Sequence, residues 1–214
     1  MKLSREKHKS EAQVVLFING QFPKTMPLLD DFKKIYCTDG AYAKLLENGV
    51  QPDLVSGDFD SLAISEINTE TKIVETPDQN ATDFEKILKI IIEEGFKSVA
   101  VYGCSGLEQD HFLGNLNSML KHKDEIEIRC FDDFGFYFFA ENDTEIIDFK
   151  DEIISLYPFP EAKNIYSEGV KYPLHDEDLS ITTRIGTRNT ITEGTARIRF
   201  KSGNLLVFVQ AIRS

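Results

Sequence analysis

The chain has 214 residues, of which 41% are hydrophobic and 28% charged, and its formal net charge at pH 7 is −12. These values are typical of a soluble globular protein with one large domain or two small ones. The negative charge argues against sequence-independent binding to nucleic acid or to an anionic membrane. It suits a cationic substrate, and it still allows a phosphate ligand if a metal ion masks the carboxylates.

The sequence predicts a cytoplasmic protein. No apolar run approaches the roughly 20 residues of a membrane span, and the charged N-terminus has no secretory apolar core. Cys37, Cys104 and Cys130 form an odd set without a Cys-x-x-Cys spacing, so we expect reduced thiols that serve packing. We expect residues 1–12 to form a disordered or frayed arm.

Strand and helix patterns alternate from residue 14 to about residue 132. Short apolar runs predict strands at 14–18, 35–37, 54–55, 72–74, 98–102 and 126–131. Helices are predicted after Asp39-Gly40-Ala41 through Leu46, from the N-cap Thr82 to Gly95, and from about Gln109 to Leu120. Residues 21–33 predict a loop with a short helix. The alternation predicts an α/β domain with a parallel sheet over residues 1–132.

The pattern changes at Phe134, beyond which no helix is predicted. Further strands are expected within 134–140, 145–149 and 153–157. Two apolar strands near the C-terminus, 197–200 and 205–209, flank Lys201-Ser202-Gly203-Asn204, which predicts a hairpin. Residues 133–214 therefore predict an all-β domain, and the lack of a Pro/Ser linker indicates that it packs closely on the first.

Two aspartates, Asp58 and Asp60, follow the strand that contains Leu54 and Val55. In a strand, this spacing places both carboxylates on one face, and in a turn that leaves a strand it lets them converge. Such close carboxylates repel each other unless a cation lies between them, and Mg²⁺ binds carboxylate oxygens together with waters and phosphates. A solvated acidic turn is the alternative interpretation of this stretch alone.

Similar polar signatures follow other predicted strands, namely Asn19-Gly20, Asp39-Gly40 and Gly103 to Gly106. Ligands of parallel sheets bind beyond the carboxyl ends of the strands, so the signatures predict a site at one rim of the sheet. Asp83 and Asp110, near helix starts, are expected at the same rim. The five carboxylates of Asp39, Asp58, Asp60, Asp83 and Asp110 would require a metal ion, a cationic ligand or raised pKa values.

Several other site classes are absent from the sequence. There is no P-loop motif, no Gly-x-Gly-x-x-Gly, no zinc-type Cys/His cluster and no Gly-x-Ser-x-Gly elbow. His111 and Asn115 lie four residues apart on one predicted helix face, next to Asp110. This group is either a functional cluster, which we favour, or an ordinary polar helix N-terminus.

Taken together, these motifs resemble those of the thiamine pyrophosphokinase (thiamine diphosphokinase) family. The matching elements are Asp39-Gly40-Ala41, Pro52-Asp53, Gly57-Asp58-Phe59-Asp60-Ser61, Asp78, Thr82-Asp83, Gly103-x-x-Gly106, Asp110-His111 and Asn115. Near the C-terminus, Gly169 to Leu174 and Gly186 to Asn189 resemble further family segments. The resemblance spans about residues 14–209.

The resemblance implies a nucleotide- and metal-binding catalytic domain at 1–132, a thiamine-binding β-sandwich at 133–214, and a homodimer. It also implies transfer of a pyrophosphoryl group from ATP to thiamine, with release of AMP. By this resemblance, Asp58, Asp60 and Asp83 match the family's Mg²⁺ ligands. These three residues and Asp110 are the expected catalytic residues. Expected ATP contacts are Asn19, Asp39, Gly40, Gly103, Ser105, Gly106, His111 and Asn115. Expected substrate contacts are Thr82, Asp83, Asp110, Arg188 and Asn189.

Two departures from the family pattern stand out. Many members carry Gly-Gly-Arg before x-Asp-His, whereas this chain has Leu107-Glu108-Gln109, so a carboxylate replaces an arginine that could meet phosphate. Arg188 also replaces the usual Ser before Asn189. We expect Glu108 to turn its charge to solvent. Two other functions compete with the kinase: a Mg²⁺-dependent nucleotide or phosphate-ester hydrolase on the same acidic rim, and a non-catalytic thiamine or nucleotide sensor.

Overall fold

A computed structural model describes residues 1–5, 12–60 and 62–210 of the chain, which form a mixed, sheet-dominated α/β fold. The chain divides into two compact units, Ser10–Asp133 and Met1–Lys9 with Phe134–Ser214. Of the helices within the described ranges, none combines the length and the apolar character needed to cross a membrane.

The described strands, in chain order, are β1 (Lys2–Ser4), β2 (Val14–Phe17), β3 (Lys34–Thr38), β4 (Leu54–Gly57), β5 (Lys72–Glu75), β6 (Ser98–Tyr102), β7 (Glu127–Asp132), β8 (Gly135–Phe139), β9 (Asp143–Ile147), β10 (Ile153–Glu168), β11 (His175–Ser180), β12 (Gly186–Thr190), β13 (Thr195–Arg199) and β14 (Ser202–Gln210). The helices are α1 (Asp39–Glu47), α2 (Asp83–Glu93) and α3 (Gln109–His122), with a 3₁₀ turn at Ile64–Glu66.

The Ser10–Asp133 unit is organised around a parallel sheet with the strand order β5-β4-β3-β2-β6-β7. Its central strand β2 is fully buried, with Val14, Val15, Leu16 and Phe17 all at 0% exposure. A strand buried on both faces requires a continuous apolar run, which is the pattern that this segment carries. The six strands predicted between residues 14 and 131 are confirmed.

The three predicted helices of this unit are confirmed, and Thr82 caps α2 by accepting the N–H of Glu85 at 3.2 Å. Helix α1 begins at Asp39, immediately after β3. The short helix predicted within residues 21–33 is wrong, because this described segment contains only turns and irregular structure. Pro23 and Pro27 explain the difference, since each lacks a backbone donor and disfavours a helical conformation in the preceding residue.

In the second unit, strands follow the order β1-β9-β13-β10-β14-β8, and β11 and β12 also pair with β10. Residues 134–210 contain no helix, as the sequence predicts. The long strand β10 is the centre of this unit. Its N-terminal half pairs with β14 and its last residues pair with β13.

The N-terminal arm requires a correction, because residues 2–4 form a strand rather than a frayed end. Strand β1 pairs in parallel with β9, and Leu3 is buried opposite Ile146. The terminal ammonium group donates to Glu141 at 2.6 Å, and Lys2 contacts Glu145 at 2.9 Å. One buried leucine and an available strand edge therefore hold a segment whose charged composition predicts disorder. Residues 6–11 of the predicted arm lie outside the described residues.

The predicted hairpin around residues 201–204 is also wrong. Strands β13 and β14 do not pair with each other, because β10 lies between them. Gly203 has a φ of +89° and pairs with Ala162 of β10, and a Cβ atom there would lie 2.2 Å from the carbonyl oxygen of Glu161. The glycine is needed because two backbones approach each other closely here. In the sequence alone, such a glycine cannot be distinguished from one that forms a turn.

Replacing Gly203 with alanine should lower the free energy of unfolding by roughly 1–3 kcal/mol, because the new methyl group meets backbone and the positive φ penalises a side chain. Gly194→Ala is the matched control, since a Cβ there meets nothing within 4 Å. Denaturant unfolding of the two variants measures the difference. Equal stabilities would contradict the close approach of Gly203 to β10.

Candidate active site

A cleft of about 540 Å³ opens in the Ser10–Asp133 unit, where β2, β3, β4 and β6 end and where α1, α2 and α3 begin. Eleven of the predicted site residues line it: Asn19, Asp39, Gly40, Asp58, Thr82, Asp83, Gly103, Ser105, Asp110, His111 and Asn115. Within the described chain, Asp60 and Gly106 are not among the lining residues. The rim of the parallel sheet thus gathers most of the signatures that the sequence predicts there.

Asp39 connects two parts of this cleft. It is 8% exposed, and its Oδ1 accepts the N–H of Gly40 at 2.7 Å, while its Oδ2 accepts the N–H of Phe59 at 3.0 Å. This position exists because Gly57 has no side chain: a Cβ atom there would lie 2.2 Å from Asp39 Oδ2. The start of α1 is therefore joined to the turn that carries Asp58 and Asp60.

The electrostatics of Asp39 and Asp58 differ. Burial raises the pKa of Asp39, helped by the charges of Asp83 and Asp58, and the two backbone N–H groups offset part of this increase. The N–H of Asp60, at 3.3 Å, and the amide of Gln79, also at 3.3 Å, lower the pKa of the partly exposed Asp58. Asp58 is therefore the carboxylate of this pair that remains ionised most readily.

The turn between Asp58 and Asp60 does not follow strand geometry. Phe59 has a φ of 58°, so the residue between the two aspartates has a left-handed rather than an extended conformation. The same-face arrangement of positions i and i+2 holds only in an extended strand, so the spacing alone does not bring the two carboxylates together. Asp58 lines the cleft, whereas Asp60 contributes its backbone N–H to Asp58.

Lys86 is a cleft residue that the sequence analysis missed. Its side chain is only 8% exposed, and its Nζ lies 3.1 Å from Oδ1 of Asp83, three residues earlier on α2. Their spacing of three residues on a helix is the sequence feature that indicates this ion pair. Its position in the cleft depends on how the helix packs. One of the predicted carboxylates is thus already paired with a cation.

The loop from Gly103 to Gly106 is held by backbone contacts. Gly103 has a φ of +83°, and a Cβ atom there would lie 2.1 Å from the carbonyl oxygen of Ile18. The N–H of Gln21 donates to the carbonyl of Ser105 at 2.8 Å, and the Asn115 amide donates to the carbonyl of Cys104 at 2.9 Å. Asn115 therefore supports the loop in this structure.

The first turn of α3 brings acidic and imidazole groups to the cleft lip. The N–H of His111 donates to Oδ1 of Asp110 at 3.0 Å. The Nε2 atom of His111 lies 3.7 Å from Oε2 of Glu108, and both side chains are more than three-quarters exposed. The Glu108 carboxylate is therefore well solvated, in agreement with the expectation that it turns to solvent.

Arg188 and Asn189 belong to the second unit. Arg188 has a φ of 56°, and its N–H donates to the hydroxyl of Ser155 at 2.9 Å. The Asn189 amide accepts the N–H of Tyr172 at 3.1 Å and donates to the carbonyl of Tyr172 at 2.7 Å. In this structure Asn189 fixes the segment around Tyr172. Its predicted contact with a substrate stays a prediction.

The described residues contain no preformed metal site. In residues 1–5, 12–60 and 62–210, no three His, Cys, Asp or Glu side chains are placed so that they could hold a metal ion. Both oxygens of Asp39 accept backbone N–H groups, Asp83 is paired with Lys86, and Asp60 is outside the cleft lining. The predicted ligand set of Asp58, Asp60 and Asp83 therefore stays a prediction.

Comparisons with known protein families give matches to both halves of the chain. Residues 25–130 match the family profile described as thiamin pyrophosphokinase, catalytic domain. Residues 143–205 match the profile described as thiamin pyrophosphokinase, vitamin B1 binding domain. The two matches together cover most of the chain, and they follow each other without overlap.

Individual relatives give the same result. The chain is 28% identical over 180 residues to thiamine pyrophosphokinase of Bacillus subtilis (strain 168), and the match covers 79% of this chain and 83% of that protein. It is 24% identical over 216 residues to thiamin pyrophosphokinase 1 of Caenorhabditis elegans, with coverages of 92% and 88%. The solved structure of thiamin pyrophosphokinase from Candida albicans has the same fold, with a TM-score of 0.82, 16% identity, and coverages of 98% and 92%.

The contact of Asp39 with Gly57 can be tested by a double-mutant cycle. Gly57→Ala should lower the free energy of unfolding by about 1–3 kcal/mol, because the methyl group overlaps the carboxylate of Asp39. The same substitution should cost clearly less in the Asp39→Ala background, where the carboxylate is absent. Denaturant unfolding of the four proteins measures the coupling. Additive effects would mean that the two residues do not meet as the structure places them.

Proposed function

This chain belongs to the thiamine pyrophosphokinase family, and we propose that the cleft of its Ser10–Asp133 unit is where it transfers a pyrophosphoryl group. Its activity is that of a thiamine diphosphokinase, an ATP-dependent pyrophosphotransferase that forms thiamine diphosphate and AMP from thiamine and ATP. The observation that carries the assignment is the presence of both family profiles in order along one chain.

The two units are proposed to have different functions. The sequence assigns residues 1–132 to the nucleotide- and metal-binding catalytic domain. We propose this role for the Ser10–Asp133 unit, because β1 belongs to the other unit, and the cleft and the catalytic profile at 25–130 support the proposal. Residues 133–214 form a β-sandwich that binds thiamine, a proposal supported by the vitamin B1 binding profile at 143–205. Residues 134–210 contain strands and their connections but no helix, which is compatible with a sandwich.

The triphosphate of ATP is proposed to lie between the starts of α2 and α3 and the Gly103–Gly106 loop. Helix N-termini and glycine-rich loops present backbone N–H groups and a partial positive charge to phosphate oxygens. Lys86 adds a buried positive charge to the same cleft. Expected ATP contacts are Asn19, Asp39, Gly40, Gly103, Ser105, Gly106, His111 and Asn115, of which Asp39 and Asn115 would act chiefly by holding the surrounding backbone.

We expect Asp58, Asp60 and Asp83 to hold Mg²⁺. Their oxygens are the hard ligands that this ion prefers, and the lowered pKa of Asp58 keeps that carboxylate charged. Magnesium sites commonly use one or two carboxylates together with waters and substrate phosphates, so three preformed protein ligands are not required. When bound, the ion would neutralise the charge that develops on the transferred group.

The protein's own part in the reaction is positioning and charge neutralisation, because phosphoryl-type transfer requires little covalent chemistry from the enzyme. Asp110 and His111 lie at the lip of the cleft and are proposed to orient the thiamine hydroxyl toward ATP. Thr82, Asp83, Asp110, Arg188 and Asn189 are the proposed substrate contacts. The thiazolium of thiamine is a permanent cation, which the acidic cleft favours.

Two further properties are proposed. A homodimer follows from the family resemblance, and sedimentation of the fully active protein as a monomer would contradict it. A cytoplasmic location is suggested by Cys37, Cys104 and Cys130, which are all present as thiols rather than as disulfides.

The test is an assay for thiamine diphosphate and AMP with ATP and Mg²⁺, in the presence and absence of thiamine. The kinase requires AMP release that depends on thiamine and equals the thiamine diphosphate formed. Release of AMP or phosphate without thiamine would instead indicate a hydrolase. Calorimetric binding of both ligands without product would indicate a sensor.

The metal assignment predicts that Asp58→Asn and Asp60→Asn each reduce turnover by orders of magnitude while the fold is retained, because each removes charge from the proposed Mg²⁺ site. Glu75→Gln is the control, since it removes one exposed carboxylate at the end of the neighbouring strand β5. Turnover at saturating Mg²⁺ measures the effect. Wild-type turnover for Asp60→Asn would remove Asp60 from the ligand set.

The proposed position of the ATP phosphates predicts how a substitution of Glu108 changes the use of ATP. Glu108→Arg should lower the Michaelis constant for ATP or leave it unchanged, because it replaces a like charge near phosphate by an opposite one. Glu108→Gln separates the loss of the negative charge from the gain of a positive one. Steady-state kinetics with varied ATP measure both variants. A folded but inactive Glu108→Arg protein would show that the carboxylate has a positive role.

A further inference from the structure

Two buried cysteines at the edge of the cleft have sulfur atoms in direct contact. The Sγ atoms of Cys104 and Cys130 are 2.7 Å apart, and both residues are present as thiols. The Sδ atom of Met119 lies 3.5 Å from Sγ of Cys130. A disulfide requires a separation of about 2.05 Å, so the pair needs to close by roughly 0.6–0.7 Å to form a bond.

The two cysteines belong to parts of the structure with different roles. Cys130 lies within β7, opposite Val101 of β6 in the parallel sheet. Cys104 lies just beyond the end of β6, in the Gly103–Gly106 loop, and it lines the cleft. A bond between the two sulfurs would therefore connect the loop directly to the rigid sheet.

A small displacement of Cys104 would also affect the rest of the loop that lines the cleft, because contacts on both sides hold this loop in place. The Cys104 carbonyl accepts from Asn115 at 2.9 Å, and the following carbonyl, of Ser105, accepts from Gln21 at 2.8 Å. Gly103 is packed against the carbonyl of Ile18 so closely that no Cβ would fit. Movement of the Cys104 side chain toward Cys130 therefore strains contacts on both sides of the loop.

We propose that Cys104 and Cys130 form a reversible disulfide when the protein meets a peroxide, and that this modification slows use of ATP by restraining the Gly103–Gly106 loop. The effect on ATP rests on the proposed function, which places the nucleotide against this loop. The formation of the bond does not depend on that function. Disulfides in reducing compartments are usually of this transient, redox-sensing kind.

The reaction balances with hydrogen peroxide as the oxidant. The Cys104 thiol, which lines the cleft, loses its proton, and the thiolate attacks one peroxide oxygen. The O–O bond breaks, and the leaving hydroxide takes up that proton as water, which leaves a sulfenic acid at Cys104. The sulfur of Cys130 then attacks the sulfenic sulfur, and the departing hydroxide takes up the Cys130 proton as water. In total, two thiols lose two electrons and two protons, and one peroxide becomes two waters. A dithiol reductant reverses the bond by thiol–disulfide exchange.

Peptide mapping tests bond formation directly. Trypsin cleavage after Lys97, Lys121, Arg129 and Lys150 places the two cysteines in separate peptides, 98–121 and 130–150. After treatment of the full-length protein with hydrogen peroxide and alkylation of the remaining thiols, we expect these peptides to be linked without reductant and separate with it. Cys37, also buried, should remain alkylatable after unfolding and supplies the internal control.

Activity and protection then test the coupling to the loop. Peroxide should reduce the wild-type rate several-fold, with recovery after dithiothreitol, whereas Cys130→Ala should keep its own untreated rate. Cys37→Ala should respond like the wild type. ATP with Mg²⁺ should slow formation of the linked peptides several-fold, because the ligand occupies the cleft through which peroxide reaches Cys104.

Each part can fail independently. Absence of the linked peptides, under conditions in which peroxide oxidises the methionines, would overturn the modification site whatever the activity. Linked peptides with an unchanged rate and an unchanged Michaelis constant for ATP would overturn the coupling to the loop. An untreated protein that forms no thiamine diphosphate would instead contradict the proposed function, and the peptide map would still decide whether the bond forms.

Discussion

The buried carboxylate of Asp39 is the contact on which the arrangement of the cleft depends. Its two oxygens accept N–H groups from Gly40 and from Phe59, so one side chain joins the start of α1 to the turn after β4. Burial of a carboxylate is costly, and hydrogen bonds to the ionised form offset that cost. The carboxylate fits only because Gly57 has no side chain. The direction in which Asp58 points therefore depends on a residue that belongs to another strand–helix connection.

The same contact explains why the acidic residues of the rim have separate roles. Asp39 accepts from backbone donors, Asp83 is paired with Lys86, and Asp58 remains partly exposed with a lowered pKa. A group of equivalent carboxylates would repel one another and raise their pKa values together. Distinct partners relieve that repulsion before any ligand binds. An incoming cation then meets Asp58 as the carboxylate that is most readily available.

The sequence predicts those parts of the structure that depend on local periodicity. Apolar runs and caps such as Thr82 locate the parallel strands and the helices, because burial of a strand or helix face leaves a regular pattern. Local periodicity does not predict contacts between backbones that are distant in the sequence. Gly203 resembles a hairpin glycine but allows the close approach to β10, and Leu3 alone does not indicate a strand. The spacing of Asp58 and Asp60 is a related case, since the positive φ of Phe59 removes the extended geometry that would place both carboxylates on one face.

Burial changes how strongly each charged group of the cleft would act on a bound phosphate. Glu108 introduces a negative charge at the cleft, but its side chain is 78% exposed. Lys86 is 8% exposed. At equal distance, a charge in surroundings with an effective dielectric constant near 20 acts about four times as strongly as one in bulk water near 80. Salt weakens the exposed charge further and the buried one much less. Lys86 is itself paired with Asp83, so this lysine alone does not outweigh the carboxylates of the cleft. The N-termini of α2 and α3, together with a bound cation, would supply the rest of the positive charge that a phosphate requires.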